Sequence, residues 1–261
     1  MLNKKIIGRI IMVAVIFTFH LSPFTSAKAQ FGDYGVKVGV GFATMHDDLS
    51  TKSPILGAAI GGYINYTFVK SESVLEETFF LQTGLNLTRK GSNFEEVLEN
   101  GASLMYREGF YHAYYLQLPI LACVHYELPI RQAGHVVGFF VGPSVSYGLF
   151  GRYGDRKITP SVTSTTANYD VNFNGSEEDR KVFNHLNRLD VSAIIGLSYE
   201  YKGLTASFYI DHGFLATSEG TDILRIIENG ASNNVDVKIP NGNNVSYMLS
   251  LSYSLGSFMK E

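Results

Sequence analysis

Side chains in this chain alternate. Helical periodicity is nearly absent, and eight segments instead place apolar residues at every second position: 34–44, 55–69, 75–89, 112–128, 136–150, 188–201, 204–216 and 244–255. A β-strand sends successive side chains to opposite faces, so each segment reads as a strand with one apolar and one polar face. The last segment is the cleanest. Val245, Tyr247, Leu249, Leu251, Tyr253 and Leu255 oppose Ser246, Met248, Ser250, Ser252 and Ser254.

The connections sort by length. Those after the first, third, fifth and seventh segments are long, with polar stretches at 90–111, 151–187 and 218–243. The others are short, and Lys202-Gly203 has the form of a two-residue hairpin turn. Long loops at one end and tight turns at the other fit an up-and-down meander of eight antiparallel strands closed into a transmembrane barrel. The face chemistry agrees. One face carries Val, Ile, Leu, Phe and Tyr, and the other is rich in Gly and Ser. Eight strands enclose a narrow interior, so the small, polar face belongs inside and the bulky apolar face against lipid. Closure also removes sheet edges, which hydrocarbon does not tolerate. Tyr66, Tyr126, Tyr147, Tyr199, Tyr201 and Tyr253 fall on the apolar face near strand ends, where an aromatic girdle is expected.

The first residues read as an export signal. Lys4, Lys5 and Arg9 precede an apolar run, residues 10–19, and Ala27-Lys28-Ala29 supplies the small residues of a cleavage site. The run is about half of the roughly 20 residues that a spanning helix needs. The expected organisation is a signal peptide at 1–29 and one barrel domain at 30–261, delivered to a bacterial outer membrane. Cys123 is the only cysteine, so no internal disulfide is expected. The net charge of −3 comes from scattered residues of both signs, and no basic patch marks a nucleic-acid partner. The expected partners are outer-membrane lipid and, through the long loops, other envelope or secretion proteins. The sequence leaves the oligomeric state open.

The inward face supplies the candidate site. Lys37, Gln82, Gln117, His125, Glu127, Asp190, Glu200 and Asp211 are expected to form a polar network that plugs the lumen. No Ser/His/acid motif stands out among His112, His125, Asp211, His212 and the serines, and adjacent Asp211 and His212 point to opposite faces. Catalysis is therefore not expected. His46-Asp47-Asp48 and Glu177-Glu178-Asp179 are acidic loop clusters that read as solvated, so neither a metal nor a cofactor is expected.

Four stretches carry a family resemblance. Residues 31–45 (FGDYGVKVGVGFATM) resemble a "GxKxGxNxS" first strand. Residues 114–128 (YYLQLPILACVHYEL) resemble a "YLEIPLLLKYYF" strand, including the Leu-Pro pair, and residues 138–149 (GFFVGPSVSYGL) resemble a "GPYxGYLL" strand. Residues 188–217 are similar to a "DxGxxxGxGYEYxGLxxxxRYxxGLxN" hairpin. Together they resemble the PorT-like outer-membrane β-barrels of Bacteroidota. The family often has Arg or Lys where Tyr209 or Ile210 stands here, and its last strand often closes near an aromatic terminus. The resemblance implies a barrel and an outer-membrane location. It also implies, as an alternative to a structural, envelope-assembly or surface-interaction role, participation in protein secretion or maturation.

Overall fold

A computed structural model describes residues 30–46, 51–70, 77–100, 103–129, 134–159, 162–170, 187–216, 221–228, 231–238 and 242–255. The proposed signal peptide, Asp47, Asp48 and the 177–179 cluster lie outside them. The described residues form eleven strands: β1 (Gln30–His46), β2 (Thr51–Lys70), β3 (Glu77–Asn100), β4 (Ser103–Glu127), β5 (His135–Thr159), β6 (Val162–Asp170), β7 (Leu189–Tyr201), β8 (Leu204–Ala216), β9 (Thr221–Glu228), β10 (Ala231–Lys238) and β11 (Asn243–Ser254).

Eight of these close an antiparallel barrel in the order β1-β2-β3-β4-β5-β7-β8-β11, and β11 pairs back to β1 from Gly35 with Ser254 to His46 with Asn243. The expected alternation holds around the wall. Val36, Val38, Val40 and Phe42 are exposed outward on β1, as are Leu197 on β7 and Leu249 and Leu251 on β11. Ala43, Tyr63, Leu121, Phe140, Ile194 and Met248 are buried inside. Tyr126 and Tyr199 stand outward near the short-turn end, while Tyr147 stands outward near the other.

Two prolines interrupt the wall. The β3–β4 pairing skips from Thr83 with Ile120 to Asn86 with Gln117, and the β4–β5 pairing skips from Pro119 with Ser144 to Ala122 with Val141. Pro119 and Pro143 have no N–H to give to a ladder. Thr83 compensates in part, because its hydroxyl donates to the Pro119 carbonyl at 2.8 Å. That bond satisfies an acceptor for which lipid offers no donor.

Three expected loops are corrected. The polar segment 90–111 is mostly sheet, because β3 runs on to Asn100 and β4 starts at Ser103. Segment 151–187 contains the end of β5 and all of β6, which pairs with β5 from Arg152 with Asp170 upward. Segment 218–243 contains the separate β9–β10 hairpin. Above the hydrocarbon nothing requires an apolar outer face, so the alternation fades while backbone pairing continues. The β3–β4–β5 wall thus stands well above its apolar band.

At the opposite end, Lys202 and Gly203 connect β7 to β8 with φ of 50° and 77°. Positive φ at both central residues defines the type I′ turn, whose twist matches that of the flanking strands. Lys202 carries a Cβ in the left-handed region, whereas Gly203 does not. Replacing Lys202 with Asn should raise unfolding stability in lipid vesicles by about 0.5 kcal/mol, and Gly203→Val should lower it by about 1–2 kcal/mol. Urea titration of heat-modifiable gel mobility reads both, and equal midpoints for the two variants would contradict the turn assignment.

Candidate functional site

The lumen is filled in layers. At the short-turn end the Ser254 hydroxyl donates to Asp33 Oδ1 at 2.6 Å, and the Thr205 hydroxyl donates to Glu200 Oε2 at 3.4 Å. Above them lies an apolar layer of Ala59, Phe80, Leu121, Cys123, Phe140, Ile194, Tyr209 and Met248. A charged layer follows, capped by Met45, Phe94, Tyr111, Ala113 and Tyr115. A lumen cavity between Lys37, Gln82, Gln117 and Tyr209 measures about 10 Å³. That is at the lower limit of what one water molecule needs.

Lys90 organises the charged layer. Its ammonium lies 3.1 Å from Asp190 Oδ2 and 2.9 Å from Asp211 Oδ2, and all three side chains are almost fully buried. The Gln117 amide donates to Asp211 Oδ2 at 2.8 Å, and the Asn244 amide donates to Asp190 Oδ2 at 3.3 Å. Tyr111 in turn donates its hydroxyl to Asn244 Oδ1. The cluster therefore ties β3 and β4 on one wall to β7, β8 and β11 on the other. Gly213 makes room for it. A Cβ there would lie 2.9 Å from Asp190 Oδ1 and 3.1 Å from the Asn244 carbonyl.

Several further polar atoms beside the cluster have no hydrogen bond. Asp190 Oδ1, Asp211 Oδ1 and the hydroxyls of Ser144, Ser146, Ser192 and Ser246 are buried without a hydrogen bond. Register sets Ser146 beside Asp190 and Ser246 beside Asp211. In this cluster no serine hydroxyl is hydrogen-bonded to a carboxylate, so no nucleophile is paired with a base. Among the described residues no three His, Cys, Asp or Glu side chains converge as a metal site. Chemically the arrangement is a clamp between strands.

The eight sequence-derived residues divide. Gln117, Asp190 and Asp211 meet at Lys90. Lys37 instead lies over the rings of Tyr209 at 4.7 Å and Phe140 at 5.8 Å. Gln82 donates to Asn65 Oδ1 at 3.0 Å. His125 meets the Phe80 ring edge-on at 4.6 Å. Glu127 accepts from the Gly134 N–H at 3.4 Å, while Glu200 sits by Thr205. One continuous network across all eight is not formed, because the apolar layer separates the two polar ends. Lys90 itself was missing from the set, since it opened an expected loop. Its signal was the unbroken inward parity of Gln82, Asn86, Thr88 and Lys90.

The sequence model described as an outer membrane protein beta-barrel domain matches residues 26–218. Among solved structures, the attachment invasion locus protein Ail of Yersinia pestis is similar at 8% identity and a TM-score of 0.31, over 87% of this chain and 100% of that one. A second structure of that protein, in complex with the heparin analogue sucrose octasulfate, gives 9% identity and a TM-score of 0.32 over the same shares. No curated protein matches the sequence.

Removing the clamp's cation strands two buried carboxylates. Lys90→Met should therefore destabilise the barrel by about 3–5 kcal/mol. Adding Asp190→Asn and Asp211→Asn to that variant should recover most of the loss, because the uncompensated charge is gone. Urea unfolding in vesicles measures both, and a triple variant no more stable than Lys90→Met would show that charge is not the cause.

Proposed function

The chain belongs to the outer membrane protein beta-barrel domain family, and from that premise we propose that it is a non-conducting, non-enzymatic scaffold whose tall end is a contact surface of the cell envelope. One observation carries the reading: side chains fill the lumen from Asp33 and Ser254 up to Phe94 and Tyr111, so the barrel offers neither a path nor an internal ligand chamber. Recognition is then left to the parts that extend beyond the lipid, and loops on a rigid scaffold commonly carry it. Here β3, β4 and β5 raise a sheet that β6 extends, and the β9–β10 hairpin follows β8.

The histidines support a non-catalytic role. His125 packs on Phe80, and His212 is exposed while neighbouring Asp211 is buried and engaged by Lys90. The tall end is assigned to the cell exterior, following the usual placement of long connections in such barrels.

Purified full-length protein in planar bilayers should give no discrete conductance steps, and stable large channels would overturn the reading. In cells, a His46→Cys probe at the tall end should react with an impermeant maleimide added outside. Stable co-purification with secretion machinery that survives trimming of residues 171–186 and of the β9–β10 hairpin would instead favour the export role implied by the PorT-like resemblance.

A further inference from the structure

A second feature lies on the outside of the wall. Arg89, Tyr114 and Phe150 form one row across β3, β4 and β5, since Tyr114 is in register with both neighbours. In the next outward row His112 is in register with Gly91 and Arg152. The outward run of leucines ends just below, at Leu87, Leu116 and Leu149. A membrane strand needs about 9–11 residues, which β4 supplies between Leu116 and Tyr126. The two rows therefore stand at headgroup level.

The patch is ordered by its rings. Tyr114 and Phe150 stack at 4.8 Å and 29°. His112 stacks on Phe110 at 5.7 Å and meets Tyr114 edge-on at 6.3 Å. Strand spacing and rise put the Arg89 and Arg152 Cα atoms roughly 12 Å apart, on either side of these rings. Neither arginine has an ion-pair partner among the described residues, and Arg89 Nε is buried with no acceptor. Arg152 is in register with His112 and Arg89 with Tyr114, so two positive charges flank the same rings. Outward carboxylates begin higher on the wall, at Glu108 and its register partner Glu95, while Asp170 holds the register position beside Arg152 on β6.

Guanidiniums that have no ion pair among the described residues, at the edge of hydrocarbon, call for an anion, and their planar fork matches phosphate. Flat aromatic faces at the same height suit an amphipathic sugar ring better than a bare ion. We infer that this patch binds the phosphorylated sugar headgroup of a membrane glycolipid, with Arg89 and Arg152 on phosphate and the Tyr114–Phe150 pair against the sugar. The choice of a glycolipid rests on the proposed outward orientation of the tall end.

The test uses the folded full-length protein in detergent and native mass spectrometry. The probes are bis-phosphorylated lipid A, its phosphate-free form and phosphatidylglycerol. Lipid A should be retained about tenfold better than either of the others, and Arg89→Gln with Arg152→Gln should remove that preference. Heat-modifiable mobility confirms that the double variant is folded. Tyr114→Leu with Phe150→Leu should also weaken lipid A retention. Equal retention of phosphatidylglycerol, displacement by inorganic phosphate, or unchanged binding in the arginine variant would each overturn the inference. The detergent assay does not depend on orientation. The maleimide probe at position 46 therefore tests the surface role separately from headgroup binding.

Discussion

Hydrocarbon offers no hydrogen bonds, so each peptide group in the membrane-spanning wall has to find its partner within the protein. Pairing β11 back onto β1 meets that requirement by leaving the barrel without an open edge. The same constraint explains why Thr83, on an outward position, turns its hydroxyl to the Pro119 carbonyl. Where the β4 ladders are interrupted by prolines, a side chain takes over what the backbone cannot do.

Closure with only eight strands sets the second condition, a lumen narrow enough to be filled. The filling is not uniform. Apolar and aromatic side chains occupy the layers on either side of the Lys90 cluster. This separation places one ammonium and two carboxylates where water is scarce, so their hydrogen bonds to Gln117 and Asn244 matter more than they would at a surface. A clamp of this kind holds strands that are distant around the wall. Among the described residues the lumen is filled, and under the proposed function recognition falls to the outer wall and the tall end.

Much of this was legible in the residues. The eight barrel strands, their inward and outward faces and the Lys202-Gly203 turn follow from alternation and turn chemistry, because lipid on one side and a crowded lumen on the other impose period two. Three of the lumen residues that meet at Lys90 were read from the same parity. Lys90 was not, because the outer face turns polar at Arg89 and the strand was taken to stop there. The extensions of β3, β4 and β5, together with β6 and the β9–β10 hairpin, were hidden for the same reason: above the membrane, pairing leaves little trace in side-chain polarity.

The sequence by itself therefore determined the all-β class, the number of barrel strands and which face meets lipid, since each depends on local periodicity and side-chain size. Only the tertiary structure decided which inward groups meet. Lys90 and Asp190 are a hundred positions apart in the chain, and their contact depends on barrel diameter, register and the space left by Gly213. The same holds on the outer wall. Arg89, Tyr114 and Phe150 are unremarkable separately and become one patch because the stagger of three strands brings them to one height.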